Sequence, residues 1–338
     1  MRAVVINGAG QPPVVTDVST PSAGPGEALV RVTAASINPV DVHIASGHFF
    51  DGPPSAAYTP GLEAVGVVEQ GDALAPGTRV RVEIVHPGYG RDGTLAEYVV
   101  VPERPVHDQR ASQAQVFPVG QDLTDSYLAA IGATGCTAVS LLDRVRETGG
   151  TLEGGHVLVL GATGSIGSIL VQLAKRMGAA HVVGAGRDSG RLEKLVGLGA
   201  DATVHLGEDE AAMREQFVEA SLGRLDVVIE PLWGAPARAA MEALSPNGLL
   251  VNFGSVTGME ASMSALPLRN KRVTVAGYSG AWTTPEQRQG AYLRLLDLVT
   301  EQPIDLDVQE LGIDGVPEVW ATVTASAGKK YVVRPGLG

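Results

Sequence analysis

Residues able to hold a phosphate group carry the clearest chemical signal in this chain. The stretch 157–167 reads VLVLGATGSIG, a short apolar strand followed by regularly spaced glycines, and an apolar stripe at helical spacing then continues to Gly178. Small residues allow the backbone to approach a pyrophosphate, and the free N–H groups at a helix start favour its charge. We expect this turn to hold a dinucleotide through seven residues: Gly161, Ala162, Thr163, Gly164, Ser165, Ile166 and Gly167.

The end of the next strand indicates which dinucleotide binds. NAD-binding proteins usually place Asp or Glu about 20 residues after the glycines, where it holds the ribose 2′-hydroxyl. Here that position is Gly186, followed by Arg187, with Arg191 on the helix beyond. A carboxylate would repel a 2′-phosphate, whereas glycine leaves room for it and a guanidinium can bind it with two hydrogen bonds. The sequence therefore predicts NADP(H). The alternative interpretation of Arg187 and Arg191 is a solvated charge pair.

The composition argues against several classes of partner. The 338 residues carry a formal net charge of −12, which is unfavourable for binding nucleic acid or an anionic membrane. Cys136 is the single cysteine, so the chain can form no internal disulfide and no cysteine-based zinc cluster. The sequence begins with a strand-like segment rather than a signal peptide, and we expect no apolar run of the about 18 residues that span a bilayer. These features predict a cytoplasmic protein.

The order of elements predicts an α/β fold in two parts. The first 110 residues contain short β-branched runs separated by Gly and Pro clusters, which is typical of a barrel or sandwich. Residues 125–145 look helical in two pieces interrupted by glycine, and strands then alternate with helices. Six such strands would complete a doubly wound parallel sheet. They begin near His156, His181, Ala202, Leu225, Leu249 and Arg272.

A further helix and a return to strands complete the chain. Thr284, Pro285 and Gln287 form a capping-box pattern in front of this helix. Its apolar face consists of Tyr292, Leu295, Leu296 and Val299. We therefore predict a doubly wound Rossmann domain, residues 123–280, inserted into a β-rich domain made of residues 1–122 and 281–338.

Five further segments, in this order, resemble the medium-chain dehydrogenase/reductase superfamily over essentially the whole chain. They are INPVDVHIASG (37–47), which is similar to the quinone oxidoreductase branch, PGLEAVGVV (60–68), GCTA (135–138), LVNFG (250–254) and GKKYVV (328–333). The resemblance implies a GroES-like catalytic domain around the Rossmann domain. The glycine motif is also similar to that of atypical short-chain reductases, but those proteins carry it within their first dozen residues.

The resemblance implies chemistry without a metal. Catalytic zinc needs three protein ligands drawn from Cys, His and carboxylate. The superfamily's ligand positions fall on Asn38, Leu62 and Ala133, and its four-cysteine structural lobe is absent. Without a Lewis acid, hydride transfer suits electron-poor acceptors, namely quinones or carbon–carbon double bonds conjugated to a carbonyl. The alternatives are a zinc-independent carbonyl reductase or alcohol dehydrogenase, and a non-catalytic NADPH-binding protein.

Few side chains are available as the proton source. His43 lies where the quinone oxidoreductase branch commonly has Tyr, and its alternation with Asp41 predicts one face of a strand or turn. His48 is a second candidate, and a structural role is the alternative for both histidines. A further family tyrosine falls on Phe49, which indicates a more apolar pocket. Asn38 completes the candidate catalytic set, because the resemblance implies that it faces the nicotinamide ribose.

Further residues are candidates for the cofactor site, the pocket and the subunit interface, the pocket candidates because aromatic residues are scarce in this chain and cluster there. Cofactor contacts outside the phosphate turn and the arginines would come from Asn38, Thr137, Phe253, Gly254, Ser255 and Lys330. Trp233, Tyr278 and Trp282 are candidates for an outer pocket wall, with ordinary packing as the alternative. Asp41 and Glu63 match family positions, either as turn braces or as reacting groups. KRVTVAG (271–277) resembles the strand that pairs across the superfamily's dimer, so we expect a homodimer.

Overall fold

The structure is a computed structural model that describes residues 1–49, 52–105, 114–119, 122–324 and 328–337. It divides into two compact units. The first unit comprises residues 1–133 and 281–338, and the second comprises residues 134–280. The sequence placed the first boundary at residue 122, whereas this division falls eleven residues later, inside a long helix.

Strands and helices follow the order that the sequence predicts. The strands are β1 (Arg2–Val5), β2 (Val14–Asp17), β3 (Glu27–Ile37), β4 (Glu63–Gln70), β5 (Arg79–Ile84), β6 (Tyr98–Pro102), β7 (Ala114–Pro118), β8 (His156–Leu160), β9 (His181–Gly186), β10 (Ala202–His205), β11 (Val227–Glu230), β12 (Leu249–Asn252), β13 (Thr274–Gly277), β14 (Asp307–Leu311) and β15 (Lys329–Val333). The helices are α1 (Pro39–Ala45), α2 (Asp125–Glu147), α3 (Ser165–Arg176), α4 (Ser189–Gly197), α5 (Glu210–Ala220), α6 (Gly234–Ala243), α7 (Ala265–Asn270), α8 (Pro285–Thr300) and α9 (Val316–Trp320).

The first unit is built on a seven-stranded sheet. Its strand order is β14-β15-β3-β4-β5-β7, with β6 also paired to β3, while β1 and β2 pair with each other. Strand β15 from the end of the chain runs antiparallel to β3, with Tyr331 opposite Ile37. N-terminal and C-terminal segments therefore contribute to one sheet, and the buried apolar residues of its strands form the core of this unit.

Helix α8 begins as the sequence predicts. Thr284 caps it, with its hydroxyl accepting from the Gln287 N–H and its own N–H donating to the Gln287 side chain, and Pro285 is the first helical residue. Tyr292, Leu295 and Val299 are buried on its apolar face.

Helix α2 corrects the prediction of two helical pieces, because it is continuous over 23 residues. By length and composition alone this helix could cross a membrane, which also corrects the expectation that no apolar run is long enough. However, 72% of its most apolar window is buried inside the protein, as in the core helix of a globular fold. Gly132 lies within the helix rather than ending it.

The second unit contains the six-stranded parallel sheet that the sequence predicts. The strand order is β10-β9-β8-β11-β12-β13, and every neighbouring pair is parallel. Apolar strands β8 and β11 are buried almost throughout because helices lie over a parallel sheet. The order along the chain reverses between β8 and β11. In doubly wound sheets the ligand binds at this switch point, outside the carboxyl ends of the strands.

Candidate functional site

The turn between β8 and α3 is shaped for a close backbone approach. Gly161 has φ +65°, a left-handed conformation that glycine adopts without strain. A side chain on Gly167 would collide with the carbonyl oxygen of Gly161 and would lie 2.7 Å from the Ala162 Cα. The chain can therefore pass over itself here only because both positions lack a Cβ.

Helix α3 begins without a side-chain cap and without an acidic residue in its first turn. Gly164 is its N-cap residue, so no side chain competes for the first backbone N–H groups. Those groups and the positive end of the helix dipole fit the pyrophosphate of a dinucleotide. The seven residues assigned to phosphate binding from the sequence are all contiguous in this turn.

The end of β9 lacks the free space that the sequence predicts beside Gly186. Gly186 is buried, but the space that its missing side chain leaves is occupied by Thr163, whose Cγ2 would lie 2.6 Å from a Cβ at 186. Arg187 is exposed and makes no hydrogen bond or ion pair with the described residues. Arg191 contacts Asp188. The Asp188 carboxylate accepts the Arg191 backbone N–H at 3.0 Å and lies 3.6 Å from the Arg191 Nε. Asp188, the N-cap of α4, is a nearby carboxylate that the sequence reasoning passed over.

A buried carboxylate organises the loop that follows β11. Glu230 is fully buried, and its Oε1 accepts the backbone N–H groups of Leu232 and Trp233 at 2.5 and 2.6 Å. Its Oε2 accepts from the Asn252 side chain at 2.7 Å, which joins the ends of β11 and β12. Burial raises the pKa of the Glu230 carboxyl. Nothing in the local sequence had singled out this residue.

The same loop lies against the phosphate turn. A Cβ on Gly161 would lie 3.0 Å from Pro231, the residue that follows Glu230. Trp233 is half-buried and has φ +64°, a conformation unusual for a non-glycine residue. The structure thus places Trp233 on a loop that is held by Glu230 beside the switch point.

The remaining cofactor candidates of the second unit lie on its later loops and on α2. Phe253 donates its N–H to the Glu230 carbonyl at 3.0 Å, and Gly254 packs so closely that a Cβ would lie 2.7 Å from the Pro231 carbonyl oxygen. Ser255 follows and donates its hydroxyl to the Met259 sulfur at 3.0 Å. Thr137 on α2, the last cofactor candidate of this unit, is half-buried, and so is the pocket candidate Tyr278 after β13.

A cluster of charged side chains is enclosed in the first unit. Lys330 is buried and donates a hydrogen bond from Nζ to the Oδ1 of Asn38. The Asn38 Nδ2 donates to the Ser36 hydroxyl at 3.1 Å and to Glu63 at 3.4 Å. Desolvation lowers the pKa of Lys330, although the Glu63 and Asp41 carboxylates oppose that shift. The two cofactor candidates Asn38 and Lys330 are therefore in direct contact, across 292 residues of sequence.

Asp41 belongs to the same cluster. Its carboxyl accepts the Asn38 backbone N–H at 2.8 Å and the Gly61 N–H at 3.2 Å, which ties α1 to the loop before β4. Burial raises the pKa of Asp41 to about 7, and the two N–H donors and Lys330 only partly offset this effect. Its contacts are those of a turn brace, the first of the two roles that the resemblance allowed.

Glu63 is the centre of the cluster and reaches helix α2. The fully buried carboxylate accepts from Arg81 Nη2 at 3.0 Å and from the backbone N–H of Ala133 at 2.6 Å. A Cβ on Gly132 would collide with this carboxylate and would lie 2.6 Å from the Arg81 Nε. Gly132 is thus required by the carboxylate packed beside the helix, and it lies inside the continuous helix α2. The Arg81 guanidinium also lies over the rings of Phe117 and Tyr292, 4.9 and 5.0 Å from their centroids.

The structure brings together two of the three positions that bear zinc ligands in the resembling enzymes. Asn38 and Ala133 both donate a hydrogen bond to the Glu63 carboxylate. Neither offers a side chain that commonly binds zinc in a catalytic site, and Leu62 is apolar. Within the part of the chain that the structure describes, no group of three or more His, Cys, Asp and Glu side chains could hold a metal ion.

The histidine candidates are separated from the buried cluster. His43 and Asp41 lie on helix α1, not on a strand or turn, so residues two apart face different directions: Asp41 is buried and His43 is exposed. The prediction of a common face is therefore wrong. His48 is also exposed, with its Nδ1 3.1 Å from the Ser46 hydroxyl.

Phe49 belongs to an aromatic group that the sequence did not reveal. Its ring centroid lies 5.0 Å from His86 and 6.0 Å from Tyr89. His86 is buried, and Tyr89 donates its hydroxyl to the Gly52 carbonyl. Phe49, which the sequence predicts to make the pocket more apolar, is thus bordered by His86 and Tyr89, two rings with polar atoms from the loop after β5. Trp282, the remaining pocket candidate, is 72% exposed in a short 3₁₀ helix.

Comparisons with known proteins agree with this architecture. Residues 24–110 match the family model described as alcohol dehydrogenase GroES-like domain, and residues 165–298 match the model described as zinc-binding dehydrogenase. Prostaglandin reductase-3 of Bos taurus is 28% identical over 313 residues, which are 88% of this chain and 76% of the relative. Quinone oxidoreductase-like protein 2 homolog of Nematostella vectensis is 29% identical over 83% of this chain and 73% of its own. A mycobacterial structure complexed with NADPH superposes with a TM-score of 0.80 at 23% identity, covering 99% of this chain and all of the other.

The doubly wound sheet, the glycine turn and the GroES-like part define an oxidoreductase of the medium-chain dehydrogenase/reductase superfamily. Within the superfamily, the chain belongs to the quinone oxidoreductase-like branch.

Proposed function

We propose that the protein transfers hydride from NADPH to a quinone or to a carbon–carbon double bond conjugated to a carbonyl, without zinc. One observation carries the proposal. The dinucleotide turn is intact, whereas the positions that would hold a catalytic metal are Asn38, Leu62 and Ala133. The names of the similar proteins, a prostaglandin reductase and a quinone oxidoreductase-like protein, support the same acceptor class.

The protein's contribution to the cofactor would be binding and orientation. The N–H groups at the start of α3 would hold the pyrophosphate, and Arg187 would hold the 2′-phosphate from the end of β9. Arg187 suits this role because it makes no ion pair with the described residues, whereas Arg191 already pairs with Asp188. A bound NADPH supplies the hydride.

The absence of metal ligands restricts the acceptor. With no Lewis acid to stabilise an alkoxide, the acceptor must delocalise the incoming electron pair by itself. Hydride addition to the β-carbon of an enone moves that pair onto the carbonyl oxygen, where a hydrogen-bond donor stabilises it and a proton then completes the reduction. A quinone accepts the hydride and a proton in the same way and becomes a hydroquinone.

The proton source is assigned to His43, with His48 as the second candidate. Both imidazoles are exposed on or just after α1, so each can exchange protons with water. If His43→Ala leaves enone turnover unchanged while His48→Ala lowers it, the assignment passes to His48. Unchanged turnover in both variants would exclude both histidines as the proton source.

A substrate panel tests the proposed function. NADPH or NADH is supplied with a naphthoquinone, a cyclic enone, the matching saturated ketone and an aldehyde, and cofactor oxidation is followed by absorbance. We expect turnover of the quinone or the enone, a preference for NADPH, and no loss of rate with a zinc chelator. Turnover of the saturated ketone alone would contradict the proposal, and so would zinc present at one atom per chain. Cofactor binding without any turnover would favour a non-catalytic NADPH-binding protein.

We also propose a homodimer formed along strand β13. This strand is at the edge of the six-stranded sheet, and its Val275 side chain is 41% exposed. Leu266 and Leu268 on the preceding helix are also exposed. Light scattering should give twice the chain mass, and Val275→Lys should lower it, because a charge at an edge strand opposes pairing. We assign the protein to the cytoplasm, since its single half-buried Cys136 suits a reducing compartment.

A further inference from the structure

The contact between Thr163 and Gly186 links the phosphate turn to the end of the second strand. A Cβ on Gly186 would lie 2.6 Å from the Thr163 Cγ2, 2.8 Å from its Oγ1 and 3.2 Å from its Cβ. Both residues are buried. Contacts below 3.0 Å are not tolerated between carbon atoms, so any side chain at 186 must displace the threonine side chain.

Thr163 has little freedom to move away. The turn is fixed to β9 by the hydrogen bond from the Ala162 N–H to the Ala185 carbonyl at 2.9 Å. Ala162 is itself packed against the strand, since a Cβ on Gly184 would lie 3.2 Å from its methyl group. Rotation of the stiff β-branched side chain would exchange Cγ2 and Oγ1 but would leave the Thr163 Cβ close to position 186.

Position 186 is also where an acidic side chain would hold a ribose 2′-hydroxyl. We propose that Thr163 is a specificity-determining residue: by filling the space beside Gly186 it excludes an acidic side chain there and keeps the site selective for the 2′-phosphorylated dinucleotide. The proposal rests on the NADPH dependence proposed above, and it adds that selectivity is set by a coupled pair rather than by position 186 alone.

Four proteins test the coupling: the wild type, Thr163→Ala, Gly186→Asp and the double variant. Binding of NADPH and of NADH is measured by titration of nicotinamide fluorescence. We expect Thr163→Ala to keep the preference for NADPH and Gly186→Asp to weaken binding of both. The double variant should bind NADH at least about tenfold more tightly than Gly186→Asp does, and should prefer NADH to NADPH. If Gly186→Asp alone binds NADH as tightly as the double variant, Thr163 does not determine specificity.

A second cycle keeps the inference testable if the aspartate variant fails to fold. Gly186→Ala should lower the melting temperature of the free protein by several degrees, and this loss should be smaller when Thr163→Ala is also present. Equal losses in both backgrounds would overturn the steric coupling. A wild type that prefers NADH would refute the proposed cofactor. It would leave the steric coupling intact, because the Ala cycle measures packing without any ligand.

Discussion

Replacing Glu63 with Gln should destabilise the first unit far more than an apparently similar change on the same strand. Glu63 and Glu69 both lie on β4, and each pairs with an arginine of a neighbouring strand. The Glu63–Arg81 side chains are 0% exposed, whereas those of Glu69 and Arg31 are 43% and 46% exposed. The distance between charges is 3.0 Å in the buried pair and 2.6 Å in the exposed pair, so distance alone would rank them the other way.

The expected magnitudes follow from burial. Glu63→Gln leaves the Arg81 guanidinium buried without its main counter-charge and points amide hydrogens at donors on Arg81 and Ala133, which costs about 3–5 kcal/mol. Glu69→Gln should cost about 0–1 kcal/mol, because water screens an exposed pair. Urea unfolding followed by Trp fluorescence reports on this unit through Trp320, which is buried in it. If both variants unfold at the same urea concentration, the enclosed pair is not a main support of the fold.

Three further results are expected. The pKa of Asp41 is about 7 in the folded protein against 3.8 in the unfolded chain, so the folded state retains the proton between these pH values. The free energy of unfolding in urea, relative to that of Asp41→Asn, should therefore be greatest below pH 4 and fall by up to about 4 kcal/mol between pH 4 and 7. A difference independent of pH would contradict this. Thr284→Ala should destabilise the protein by about 1 kcal/mol through loss of the α8 cap, whereas Thr284→Ser should not, as thermal unfolding would show. Gly167→Ala should abolish nucleotide binding in a fluorescence titration while Gly164→Ala largely preserves it, because a Cβ at 164 has its nearest contact at 3.3 Å; similar affinities of the two variants would refute the assigned roles of these glycines.

Much of the fold was predictable because its signals are local. The β-branched runs, the glycine turn and the Thr284 capping box each lie within a few residues of the element that they define. The six parallel strands were confirmed in number and in position along the chain. The common face proposed for Asp41 and His43 was wrong for an equally local reason. Asn38 and Pro39 begin a helix at this point, and helical geometry separates residues two apart.

The buried cluster of the first unit could not be predicted in the same way. Its members are brought together from β3, α1, β4, β5, α2 and β15, so no window of sequence contains more than three of them. The resemblance singled out Glu63 and Lys330 by position but carried no information on the hydrogen bonds that they make. Glu230 is a similar case, because its partners are backbone N–H groups, which every residue has.

The structural roles of two glycines, Gly132 and Gly186, could not be predicted from the sequence. At Gly132 the sequence favoured an interruption of the helix, and at Gly186 it favoured room for a phosphate. In both cases the missing side chain is explained by an atom from elsewhere in the fold, the Glu63 carboxylate for the first and the Thr163 side chain for the second. A glycine in the sequence indicates only that a Cβ is absent. The atoms packed against that position in the fold determine what the absence does. Under the coupling proposed for Thr163 and Gly186, the cofactor preference depends on a pair of residues, and substituting Gly186 alone should change packing before it changes selectivity.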